Sequence, residues 1–129
     1  MIYLYIGAGG AIGSLLRYLI SLLAIGSWGN SFPYGTLCAN LIGAFLLGWF
    51  TSTAGRKCLS PQLTAGIGTG LIGSFTTFST LSNELVSLIE QSAYVAAFAY
   101  AVISMIAGLL VAYLGMVLGK GKKAGELRG

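Results

Sequence analysis

The side chains in this sequence that could do chemistry are few and mostly neutral. There is no histidine, which excludes imidazole metal sites and histidine-based acid–base catalysis. The remaining polar groups stand inside long apolar stretches. Thr36, Asn40, Ala44 and Gly48 recur at i+4 spacing, which places them on one helix face, and Asn40 is the only carboxamide deep in its stretch. Tyr100, Ser104 and Gly108 make a second stripe of the same period. A third cluster, Gly68 to Ser82, reads GTGLIGSFTTFSTLS and gathers Thr76, Thr77, Ser79, Thr80 and Ser82 around Phe75 and Phe78. Polar residues at membrane depth are rare and mark substrate or ion pathways. Their other common use is interhelical hydrogen bonding, at about 0.6 kcal/mol each. A pathway built from an amide, hydroxyls and a phenol offers donors. Phenylalanine adds a ring edge of positive potential. This inventory suits a small anion that donors can partly rehydrate, whereas a cation pathway uses carboxylates or ordered carbonyls. Glu84 follows about two helical turns beyond Thr77, and Arg17 is the one basic residue inside an apolar stretch. Arg17 either snorkels to the interface or places positive charge in an aqueous vestibule that concentrates anions.

Long apolar segments must position these groups. Of 129 residues, 56% are hydrophobic and 8% charged, against about 25% charged in a soluble domain. The mean hydropathy is +0.86. These values indicate an all-α membrane protein with one transmembrane domain. About 20 apolar residues cross the hydrocarbon core, and four stretches qualify: residues 2–25, 34–54, 62–89 and 93–118. The first is expected to be a retained span, because no basic residue precedes Arg17. Within the third, glycines and hydroxyl residues make Gly68 to Ser82 the poorest helix former in the chain, so a helix broken near its centre is expected. Such a break survives in a membrane only where protein or a water-filled cavity satisfies it. The glycine pattern GTGLIG also spells G-x-G-x-x-G, but without a βαβ context it carries no dinucleotide reading. Small residues four apart, Gly9 and Gly13, Ala44 and Gly48, Gly108 and Ala112, predict close helix approach and association between subunits.

Charge sets the orientation. Arg56 and Lys57 lie between the second and third spans; Lys120, Lys122, Lys123 and Arg128 lie in the tail, residues 119–129. The connections on the other side carry no Lys or Arg. This bias predicts both termini in the cytoplasm. It also accounts for the net charge of +4 without nucleic acid as a partner. Cys38 and Cys58 fall near opposite ends of the second span and are expected to be unpaired.

Three elements together resemble the Fluc/CrcB family of bacterial fluoride channels: GGAIGSLLRY (residues 9–18), GTLCANLIGAFLLG (35–48) and GIGTGLIGSFTTFSTLSNE (66–84). The resemblance covers nearly the whole chain. It implies an antiparallel dual-topology dimer in a bacterial cell membrane, with two pores along the subunit interface. It implies a structural Na⁺ at the dimer centre, held through the backbone carbonyls of Gly73 and Thr76. By position it assigns Asn40, Phe78, Tyr100 and Ser104 to the fluoride pathway, which the hydroxyls of Ser79 and Thr80 would join, and Arg17 and Glu84 to the vestibule. It implies passive export of cytoplasmic fluoride and no enzymatic activity.

Two departures from the family pattern bear on the partner. Where the family reads TTFSTFS this chain reads TTFSTLS, so Leu81 stands at the second pore phenylalanine, and leucine has no positive ring edge. Six basic residues against none suggest one fixed orientation. The chain is therefore expected to form either a homodimer or a heterodimer with an oppositely oriented homologue, in which it contributes one impaired pore or none. A small dual-topology multidrug exporter also uses four short spans, but that class needs a carboxylate in the first helix, and this one has none.

Overall fold

The computed structural model describes residues 1–29, 31–54 and 57–121. Arg56 of the basic loop and Lys122, Lys123 and Arg128 of the tail lie outside the described residues. All described secondary structure is helical. Three helices are long and apolar enough to cross a membrane: α1 (Ile2–Trp28), α2 (Tyr34–Ala54) and α6 (Tyr94–Lys120). Each of α1 and α6 has 27 residues, about 40 Å at 1.5 Å per residue, ample for a core about 30 Å thick.

The region between α2 and α6 is assembled from shorter pieces. Ser60 caps the first, accepting from the Leu63 N–H at 3.3 Å, and Pro61 occupies the opening turn of α3 (Pro61–Ala65), where its missing N–H costs nothing. Gly66–Ile72 then winds as a π-helix, followed by one α turn, α4 (Gly73–Phe75). Thr76 and Thr77 are extended, with φ/ψ of −82°/154° and −150°/122°. The chain resumes as α5 (Phe78–Glu90).

Glycine governs how these pieces meet. A Cβ on Gly13 would overlap the Leu71 carbonyl, and one on Gly9 the Gly66 carbonyl, so α1 lies directly against the π-helical backbone. In the same way a Cβ on Gly48 would overlap the Ala112 carbonyl, and one on Gly115 the Phe45 carbonyl, which brings α2 onto α6. Small residues permit this approach where lipid supplies no hydrophobic drive between helices. The expected Gly108–Ala112 pair divides here: a Cβ on Gly108 would meet nothing within 4 Å, and the close contact on α6 falls to Ala112 and Gly115. Within the subunit, the register of α2 on α6 therefore runs through Ala112 and Gly115 and leaves Gly108 on an open face. A small apolar cluster of Leu88, Ala97 and Tyr100 joins α5 to α6, with Leu81, Leu85 and Phe32 against it.

Candidate functional site

Two polar constellations sit on this frame. The first is at the junction of α4 and α5. In an uninterrupted helix the Thr77 N–H would donate to the Gly73 carbonyl. Here it donates to Asn40 Oδ1 at 2.8 Å, and Asn40 Nδ2 donates back to the Thr77 carbonyl at 3.0 Å. One carboxamide from α2 thus satisfies both backbone groups of an extended residue. The Thr77 hydroxyl caps α5, accepting from the Thr80 N–H at 3.2 Å while donating to Thr80 Oγ1 at 3.0 Å. Ser79 Oγ lies 3.3 Å from the same hydroxyl. Thr76 stays tied to the preceding turn, its N–H on the Ile72 carbonyl at 3.2 Å and its hydroxyl on the Gly73 carbonyl at 3.2 Å. Phe78, directly after this junction, is 80% exposed. Phe75, directly before it, is buried beside an apolar cavity of about 380 Å³ lined by Leu16, Leu46 and Ile72 among others.

The second constellation centres on Glu84. Its two carboxyl oxygens accept from Thr36 Oγ1 and from the Tyr100 hydroxyl, each at 2.7 Å. Tyr100 is fully buried and Thr36 nearly so. Phe32, from the connection before α2, sets its ring edge-on to Tyr100 with centroids 5.3 Å apart and planes at 72°. Thr36 and Glu84 face a cavity of about 300 Å³ shared with Ser21, Ser87 and Gln91. It opens where the ends of α1 and α5 meet the start of α2. Arg17 is absent from its lining; the Arg17 Nε is buried and has no hydrogen-bond partner among the described residues.

The structure therefore gathers Glu84 with Tyr100, and Asn40 with the Thr77–Thr80 hydroxyls, while Arg17 stands apart from both. Ser104, one turn after Tyr100, has a buried hydroxyl without a partner among the described residues. Leu81 is half-buried against the Leu88–Ala97–Tyr100 cluster. Two residues central to the geometry, Thr36 and Thr77, belong to polar clusters visible in the sequence, but the resemblance assigned neither a role of its own. The signal for Thr36 was its place four residues before Asn40, together with the need of an intramembrane carboxyl for donors. For Thr77 it was the general need of an extended backbone for a side-chain partner.

The Gly73 and Thr76 carbonyls fit a hard monovalent cation such as Na⁺. Gly73 O has lost its helical donor and accepts only the Thr76 hydroxyl, and Thr76 O has no donor among the described residues. Neutral carbonyl oxygens are the ligands that such cations take in place of water.

Comparison with known proteins agrees with the architecture. Residues 4–116 match the family described as CrcB-like protein, Camphor Resistance (CrcB). A Bacillus cereus protein named "Fluoride-specific ion channel FluC 1" is 45% identical over 120 residues, covering 92% of this chain and 88% of that protein. "Fluoride-specific ion channel FluC" of Shewanella amazonensis is 47% identical over 115 residues, covering 89% of this chain and 93% of that one. The protein of the same name from Shewanella loihica is 42% identical with the same coverage. With the match spanning all the helices and both polar constellations, this chain is a membrane protein that belongs to the CrcB family.

Proposed function

We propose that the chain is a subunit of a passive, fluoride-selective channel in a bacterial cell membrane. The observation that carries this reading is the chain-long identity to relatives whose names specify fluoride. The geometry supports it. The polar groups are overwhelmingly neutral donors: the Asn40 amide, the hydroxyls of Ser79, Thr80 and Ser104, and the ring edge of the exposed Phe78. Fluoride, once inside as dissociated acid, would leave down its gradient, with both termini in the cytoplasm as the basic residues direct. The wide apolar exposure of α1 and α6 is the surface that lipid and a second, oppositely oriented copy would cover. In that antiparallel dimer the third span would be two half-helices separated at Thr76–Thr77. Carbonyls of Gly73 and Thr76 from each subunit would hold Na⁺, which supplies fixed positive charge at the centre.

A second reading is favoured by Leu81: the chain serves as partner to an oppositely oriented homologue that provides the aromatic ring this position lacks. Flux from liposomes containing this chain alone tests both. Fluoride efflux well above chloride efflux supports the homodimer, and efflux only after addition of the homologue supports the pair. No fluoride flux in either preparation overturns the channel reading. Phe78→Ile sharpens the choice. It is expected to abolish flux in the homodimer and to impair only one pore type in the pair, with little change in stability, because the ring is exposed in the subunit.

A further inference from the structure

The α4–α5 junction raises a question that an anion pathway does not answer: why the residue there is a carboxamide bonded twice to a single residue's backbone. The Thr77 N–H is the donor that a continuous helix would direct at Gly73 O. Asn40 Oδ1 takes it instead, at 2.8 Å. Asn40 Nδ2 then anchors the Thr77 carbonyl at 3.0 Å, fixing the backbone orientation on the C-terminal side of Thr76. The consequence falls on two atoms that Asn40 does not touch. Gly73 O is left with only the Thr76 hydroxyl, and Thr76 O with no donor among the described residues.

We propose that Asn40 is a positioning residue for a monovalent-cation site formed by the Gly73 and Thr76 carbonyls. It diverts the Thr77 N–H that would otherwise occupy one of these ligands, and it locks the backbone that follows the other. The inference rests on the Na⁺ reading above and extends it, since it joins the α2 polar stripe to the cation rather than to the anion alone. A carboxamide suits the task because it carries a donor and an acceptor in one plane, matching the acceptor and donor that Thr77 presents. A hydroxyl cannot span both groups. A carboxylate lacks the donor for Thr77 O. Glutamine keeps the amide but displaces it by one methylene.

The test uses the full chain, alone and with its homologue if the pair is required, as wild type, Asn40→Leu and Asn40→Gln. Thermal unfolding is followed in detergent while NaCl replaces N-methylglucamine chloride at constant ionic strength. Fluoride efflux is measured across the same series. Wild type is expected to gain thermal stability with Na⁺. Asn40→Leu is expected to need at least tenfold more Na⁺ for half the gain, and Asn40→Gln several-fold more, with flux in the glutamine variant recovering at high Na⁺. If Asn40→Leu does not fold, the glutamine variant decides. Variants that lose flux at every Na⁺ concentration but keep the wild-type half-saturation overturn the positioning role and leave the cation site standing. A wild type whose stability ignores Na⁺ overturns the cation site and this inference with it.

Discussion

The two polar constellations solve opposite problems. At the α4–α5 junction the backbone is deficient, and a side chain supplies what a helix would have supplied: Asn40 gives one donor and one acceptor to Thr77. At Glu84 the backbone is regular helix, and the side chain needs help: two hydroxyls, from Thr36 on α2 and Tyr100 on α6, each donate to it. The residue types follow from the need. A backbone segment lacking both partners calls for an amide, while a carboxyl calls for donors alone. Both repairs draw on α2, one turn apart, and both fall on the second part of the divided segment, one at the N-cap of α5 and one within it, so α2 fixes α5 at two points.

Substitutions can separate the two repairs, beginning with the most damaging. Asn40→Leu leaves a part-buried N–H and C=O unpaired and is expected to cost up to about 2–6 kcal/mol, at 1–3 per group if fully desolvated, measured by denaturant or thermal unfolding in lipid-like detergent. A loss below about 1 kcal/mol would mean that water repairs the junction. Tyr100→Phe removes one of two donors from Glu84 and is expected to cost about 1.5–3 kcal/mol. Combining it with Thr36→Val should show a coupling of at least about 0.5 kcal/mol in a double-mutant cycle, as for residues sharing one partner; additive losses would show that the two hydroxyls act independently. Thr77→Ala spares the Asn40 pairing, which is to backbone, and removes the cap of α5 with its part-exposed hydroxyl contacts to Thr80 and Ser79, for about 1 kcal/mol. A loss as large as that of Asn40→Leu would move the weight of the junction from the amide to the hydroxyl. Ser104→Ala is the mildest. Removing a buried hydroxyl with no partner should leave stability unchanged or raise it by up to about 1 kcal/mol, while flux falls if the hydroxyl serves the anion.

Much of the frame was legible in the sequence because length and apolarity are local properties. The first, second and fourth apolar stretches correspond to α1, α2 and α6, with α1 carried on to Trp28 and α6 to Lys120. The partners of the polar groups were not legible. Thr36 and Glu84 are 48 residues apart, Asn40 and Thr77 37, and periodicity within one helix says nothing about which turn of another it meets. The same limit applies to Gly108 and Ala112: a small-residue pair marks a face, but which helix crosses it, and at what depth, is set by both surfaces. The π winding of Gly66–Ile72 was equally hidden. A glycine-rich run announces a poor α-helix, whereas the choice of a wider turn depends on its fit to Gly9 and Gly13 of α1.

The glycine-lined contacts also carry a consequence for the order of events during synthesis. The tightest partners are not neighbours in the chain: α1 closes on the π-helix, and α2 closes on α6. The groove at Gly9 and Gly13 must wait for roughly 40 further residues after α1 is complete, a delay of seconds at about 5–20 residues per second. The groove at Gly48 waits longer, until the last helix has emerged. The α1–α2 contact can form first, but it leaves the tightest contacts of both helices unmade. Gly9, Gly13 and Gly48 stay without their close partners until the later segments arrive, and the polar junction, which needs Asn40 and Thr77 together, forms only after the third segment has been made.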